Sequence, residues 1–97
     1  MEINNLLQLT VERNASDLHI VAGVPPMIRV HGDLIVVPNE PIITPDNSKE
    51  ILSKILSTEQ FERLSVNKEI DFSLSFSEKA RFRVNAFYSM KNLSAAF

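Results

Sequence analysis

The sequence predicts an α+β domain: a mostly antiparallel sheet of about six strands with about three helices on one side. Three observations predict it. Residues 69–76 and 80–88 both alternate apolar and polar side chains with a period of two, and only Ser77-Glu78-Lys79 separates them, the pattern of two half-buried strands joined as a hairpin. Residues 2–14 and the segments that follow Thr44 and Ser57 instead repeat apolar residues every three or four positions, the helical period. The strand-like segments also come in two groups of three rather than alternating one by one with helices, which argues against a parallel sheet of strand–helix–strand units.

Composition narrows the functional classes. At 97 residues the chain is one domain with one modest core. A net charge of -2 argues against a nucleic-acid partner, because such proteins carry a basic excess. Without cysteine there is neither a disulfide framework nor a thiolate metal site. The first residues have no basic stretch followed by an apolar one, so no signal peptide is expected, and no apolar run approaches the ~20 residues of a membrane span. The expectation is a soluble cytoplasmic domain. Its last residues, Leu93-Ser94-Ala95-Ala96-Phe97, read as mid-strand, so a longer parent chain is expected.

The elements follow in order. Ile3, Leu6, Leu7 and Val11, with Thr10, make the stripe of a first helix, and Asn14 suits a left-handed end. Asp17 to Ala22 is a short strand with Leu18, Ile20 and Ala22 on one face and Asp17, His19 and Val21 on the other; Gly23-Val24-Pro25-Pro26 ends it. Met27 to Val37 reads as a hairpin turning at Gly32-Asp33, a two-residue turn that starts with glycine. Its return segment, Leu34-Ile35-Val36-Val37, is apolar on both faces and is expected to be a central strand.

Thr44 caps a second helix, with Pro45 in the first helical position and Asp46 at the positive helix end. Ile51, Leu52, Ile55 and Leu56 form its stripe. Ser57 with Gln60 fits a capping box for a third helix anchored by Phe61 and Leu64 and ending at Asn67. In the long hairpin Ile70, Phe72, Leu74 and Phe76 face inward, and a three-residue loop sets Asp71 against Asn85, Ser73 against Arg83 and Ser75 against Arg81. Met90 to Asn92 turns into the last strand.

The polar face of residues 80–88 carries Arg81, Arg83 and Asn85, about 6–7 Å apart along the strand. Arginine is permanently charged and presents five donors in a planar fork, which suits a phosphate. The plainer alternative is a surface ion pair between Arg83 and the diagonal Asp71, worth ~0–1 kcal/mol. Asp17 and His19 share a strand face and could form an acid–base pair or half a metal site, but no third ligand is evident, so no metal is assigned. His31 and Asp33 fit turn chemistry, and Arg29 a solvated strand face. Glu69 and Asp71 stand two apart on one face, as paired catalytic or metal-binding carboxylates would. Gly23 and Gly32 are the only glycines, so neither a P-loop nor a dinucleotide fingerprint is present.

Four segments, in this order and spacing, carry a resemblance: Ala15-Ser16-Asp17-Leu18-His19-Ile20; Gly23-Val24-Pro25-Pro26 with Arg29-Val30-His31-Gly32-Asp33-Leu34; Asp71-Phe72-Ser73; and Arg81-Phe82-Arg83-Val84-Asn85-Ala86-Phe87. Together they resemble the N-terminal domain of the PilT-type ATPases, the type IV pilus retraction motors of the secretion-ATPase superfamily, from about Ile3 to Phe97. Lys91-Asn92 departs from the Arg-Gly usual there.

The resemblance implies a PAS-like domain over residues 1–97, followed in the parent protein by a RecA-like domain with the P-loop, in a homohexameric ring. It implies ATP and magnesium in that parent and none in this fragment, a place in the cytoplasm against the inner-membrane pilus platform, and a phosphate contact by Arg83, with Arg81 and Asn85 beside it. Two other readings remain: the same domain of a pilus-extension or type II/IV secretion ATPase, and a free-standing PAS-like interaction module, which would need an internal pocket where Phe72, Leu74, Phe76, Phe82 and Val84 stand.

Overall fold

A computed structural model of the chain describes residues 2–77, 80–89 and 92–97. The elements are α1 (Ile3–Glu12), β1 (Asp17–Ile20), β2 (Met27–Val30), β3 (Asp33–Val36), α2 (Pro45–Ile55), α3 (Thr58–Asn67), β4 (Glu69–Ser77), β5 (Ala80–Ser89) and β6 (Asn92–Ala96). The six strands form one sheet in the order β3-β2-β1-β6-β5-β4, and each neighbouring pair is antiparallel. The α+β class, the element order and the antiparallel sheet are as the sequence predicts. The turns expected at Glu78-Lys79 and at Met90-Lys91 fall on residues outside the described ones.

One face of the sheet is dry. Leu18 and Ile20 of β1, Ile28 of β2, Ile70 of β4, Val84 and Ala86 of β5 and Leu93 and Ala95 of β6 join Leu6 and Leu7 of α1, Ile51 and Leu52 of α2 and Leu64 of α3 in a single buried cluster. All three helices therefore sit on that face, and the opposite face is left uncovered by them. Phe72, Leu74, Phe76 and Phe82 are only half-buried at its margin, with Phe76 and Phe82 edge to face at 6.1 Å.

Capping chemistry sets the helix starts. The Thr44 hydroxyl accepts from the Asn47 N–H while the Asn47 side chain accepts from the Thr44 N–H; Ser57 and Gln60 repeat the arrangement. Each capping box satisfies backbone donors that the first helical turn cannot pair itself. Asn14 and Lys68, just past α1 and α3, take left-handed backbone angles of φ 53° and 66°.

Three expectations are corrected. Val11 does not join the core: it is exposed, and Thr10 takes the buried position because its hydroxyl donates to the Leu6 carbonyl at 2.8 Å, which satisfies it. The first hairpin turns on His31-Gly32, not Gly32-Asp33. Val30 pairs with Asp33, and both turn residues have positive φ, 52° and 84°, as a type I′ turn requires. β3 is an edge strand and not a central one. Antiparallel pairing of β2 and β6 fills both sides of β1, so β3 pairs on one side only, and all four of its residues are exposed.

Leu52 is fully buried while Val66 is 79% exposed. Leu52→Ala is therefore expected to destabilise the chain by about 2–5 kcal/mol, and Val66→Ala to stay within about 0.5 kcal/mol of the parent, as read from urea denaturation midpoints.

Candidate functional site on the open sheet face

Strand register decides which side chains share the open face. Asp17 stands opposite Arg29, and His19 stands between Met27 on one side and Ala96 on the other. Ala96 faces Asn85, Asn85 faces Asp71, Ser73 faces Arg83 and Ser75 faces Arg81. The arginine row and the Asp17–His19 pair, which the sequence leaves unrelated, thus lie on one surface. β1 and β5 are two strand spacings apart, about 10 Å, with only the small Ala96 between.

On β5, Arg81 and Arg83 are exposed and Asn85 is half-buried. Among the described residues neither arginine makes an ion pair or a hydrogen bond, so the expected Arg83–Asp71 pair does not form. Asp71 has a different partner. Asn85 Nδ2 donates to Asp71 Oδ1 at 3.0 Å and to Glu69 Oε1 at 2.9 Å, spanning both carboxylates with one amide. Arg83, Asn85, Glu69 and Asp71 line an open recess of about 480 Å³ together with Ser16, Ala96 and Phe97.

On β1 the polar side chains are tied together. His19 Nε2 lies 2.6 Å from Asp17 Oδ2, Arg29 Nε donates to the same oxygen at 3.2 Å, and the Ser16 hydroxyl donates to Oδ1 at 2.6 Å. Arg29 also donates from Nη1 to the Gly32 carbonyl at 3.0 Å, tying the hairpin turn to the network. The Ser16 hydroxyl, then His19 and Arg29, hold the Asp17 carboxyl below the usual carboxylate range, against the upward push of its partial burial. Arg29, expected to be solvated, is a structural partner instead. The signal available for it was its type and position, a guanidinium on the strand next to a carboxylate.

The arrangement fits an anion better than a metal. Two guanidiniums unpaired among the described residues suit phosphate oxygens, whereas no group of three or more metal-ligating side chains forms among those residues. Asp17 and His19 gain no third ligand, and Glu69 and Asp71 are spanned by an amide. No helix among the described residues is long and apolar enough to cross a membrane.

No family model matches the chain. Known proteins do. The type IV pilus retraction ATPase PilT of Pseudomonas aeruginosa is 38% identical over 97 residues, which are 100% of this chain and 28% of that protein. The type IV pilus ATPase PilU of the same organism is 39% identical over 88 residues, 91% of this chain and 23% of that protein. A crystal structure of the pilus retraction motor PilT with bound ADP superposes with a TM-score of 0.92 at 28% identity, covering 99% of this chain and 28% of that one. The chain is an N-terminal domain of the PilT type. It spans about a quarter of the length of the PilT-type relatives it matches. The DotB ATPase of Legionella pneumophila, at a TM-score of 0.79 and 23% identity, shares the fold.

Asp17 titrates below its unfolded value, so its contribution to stability is complete above the ordinary pKa of ~3.9 and disappears as pH falls through the lower folded value. Asp17→Asn is expected to be less stable than the parent at neutral pH, and the gap is expected to close as urea midpoints are followed down through that acid range.

Proposed function

We propose that this PilT-type domain is the nucleotide-contacting N-terminal part of a type IV pilus retraction ATPase, and that Arg83 is its phosphate contact. The observation that carries the reading is the state of Arg83: exposed, on the uncovered sheet face, and without a counter-ion among the described residues. An arginine so placed can meet a triphosphate held by another domain. The chain has no P-loop of its own, so the RecA-like domain of the same polypeptide, or of a neighbouring subunit in a homohexamer, would hold ATP and magnesium.

The chain's own residues have distinct tasks in this scheme. Arg83, with Arg81 two residues earlier, would donate planar N–H groups to phosphate oxygens. Asn85 would border the same phosphate; its amide donates to one oxygen of Glu69 and one of Asp71, and neither carboxylate makes an ion pair with Arg83 among the described residues. ATP and magnesium, when bound by the partner domain, supply the transferable phosphoryl group and its charge balance. Charge stabilisation by a positioned arginine can amount to ~10³–10⁵ in rate. Movement of this rigid sheet toward and away from the nucleotide would couple hydrolysis to domain motion, and the ring would work in the cytoplasm against the inner-membrane pilus platform. The retraction ATPase PilT, among the relatives and the solved structures, favours a retraction motor over an extension or secretion ATPase.

In the full-length protein Arg83→Ala is expected to lower ATP turnover by a factor on the order of 10³, with the domain still folded, and Arg83→Lys to restore little because a lysine lacks the fork. Near-normal turnover in the alanine variant removes Arg83 from the phosphate role.

A further inference from the structure

The uncovered edge of β3 is unlike the other edge of the sheet. Leu34, Ile35 and Val36 are 44%, 45% and 49% exposed, and no lysine, proline or bulge interrupts them. Natural sheets place such residues on an edge to stop it pairing with another chain. The opposite edge, β4, carries two exposed charges, Glu69 and Asp71, and a register irregularity between Ser75 and Ser77.

Hydrogen-bond parity defines what the β3 edge offers. In the two-residue hairpin the closing pair, Val30 and Asp33, exchanges both of its backbone bonds, and alternate pairs follow suit. The next such pair is Ile28 with Ile35, and the Val37 N–H donating to the Pro26 carbonyl at 2.9 Å continues the series. Asp33, Ile35 and Val37 therefore spend their backbone groups on β2. Leu34 and Val36 direct theirs outward, two donors and two acceptors at the spacing of an antiparallel strand.

We propose that β3 is a self-recognition edge at which two copies of the chain pair antiparallel about a two-fold axis at Ile35. In that register Leu34 meets Val36 of the second copy, and Val36 meets its Leu34, so both outward sets of N–H and C=O groups are satisfied. Ile35 faces Ile35 in a non-hydrogen-bonded pair, where side chains approach most closely. Asp33 of either copy falls opposite Val37, so no like charges meet. Shifting by one step in one direction sets Pro38, which has no N–H, against Leu34; shifting in the other sets Gly32 against Val36. The central register is the one that is fully bonded and apolar, and that self-complementarity is what selects a second copy as the occupant. Three side chains a copy make a small interface, in the weak class below about 1,200 Å², so pairing belongs to high local concentration. It is independent of the role of Arg83, which lies on β5.

Sedimentation equilibrium of the 97-residue chain from micromolar to millimolar concentration tests the pairing. The apparent mass is expected to rise from 11.0 kDa toward twice that. Ile35→Lys and Ile35→Glu are each expected to abolish the rise, and an equimolar mixture of the two to restore it, because opposite charges then face across the axis. Amide exchange supplies a readout that needs no variant: the Leu34 and Val36 N–H groups are expected to slow with concentration while the exposed amides of α3 do not. A wild-type chain that stays at monomer mass, an Ile35→Lys chain that still associates, a mixture that stays monomeric, or unchanged exchange at Leu34 and Val36 overturns the proposal.

Discussion

The two-residue period of β5 is the constraint on which the rest of the structure depends. Val84 and Ala86 are fully buried against the helices, so Arg83 and Asn85, one residue out of phase, must face the other way. A slip of one residue would bury a guanidinium and expose the core, which is a cost the fold prevents by pairing β5 along both sides, with β4 and with β6. The apolar interior thus aims the arginine. Burial energy is spent on one face, and orientation appears on the other.

The open face is ordered by two small polar networks that differ in kind. At β1, one carboxylate gathers a hydroxyl, an imidazole and a guanidinium: Asp17 is held by Ser16, His19 and Arg29, and Arg29 reaches on to the turn at Gly32. Positive charge there is consumed locally. At β4–β5, one amide gathers two carboxylates, and the guanidiniums of Arg81 and Arg83 have no counter-ion among the described residues. Had Asp71 paired with Arg83 instead of Asn85, the surface would hold no spare cation beside the recess. The identity of residue 85, a neutral donor, is therefore as consequential as that of residue 83.

Much of this was legible in the residues. Both capping boxes followed from side chains three apart, a local rule with one geometric solution. The β4–β5 partners from Glu69 to Ser75 followed from strict alternation, but the expected three-residue loop did not: Ser77 pairs with Ala80, and a register shift between Ser75 and Ser77 restores the pairing of Ser75 with Arg81. Most of what failed was non-local. Leu34-Ile35-Val36 has the composition of a central strand, and no local signal says that β6, more than fifty residues on, takes the place beside β1. Gly32 favoured a turn one residue late because glycine alone was allowed positive φ, whereas His31 also adopts it. Arg29 and Asp17 were each visible, yet their pairing needed the register of β2 against β1. The convergence of β1 and β5 side chains on one face likewise required the strand order.

Whether the outward guanidinium meets a nucleotide is the centre of the account. The most direct measurement is a structure of the full-length protein assembled with a non-hydrolysable ATP analogue. The account predicts the Arg83 guanidinium within hydrogen-bond distance of a phosphate oxygen, roughly 2.7–2.9 Å. An Arg83 side chain directed into solvent or paired with a protein carboxylate, with the phosphates satisfied entirely by other residues, would contradict it.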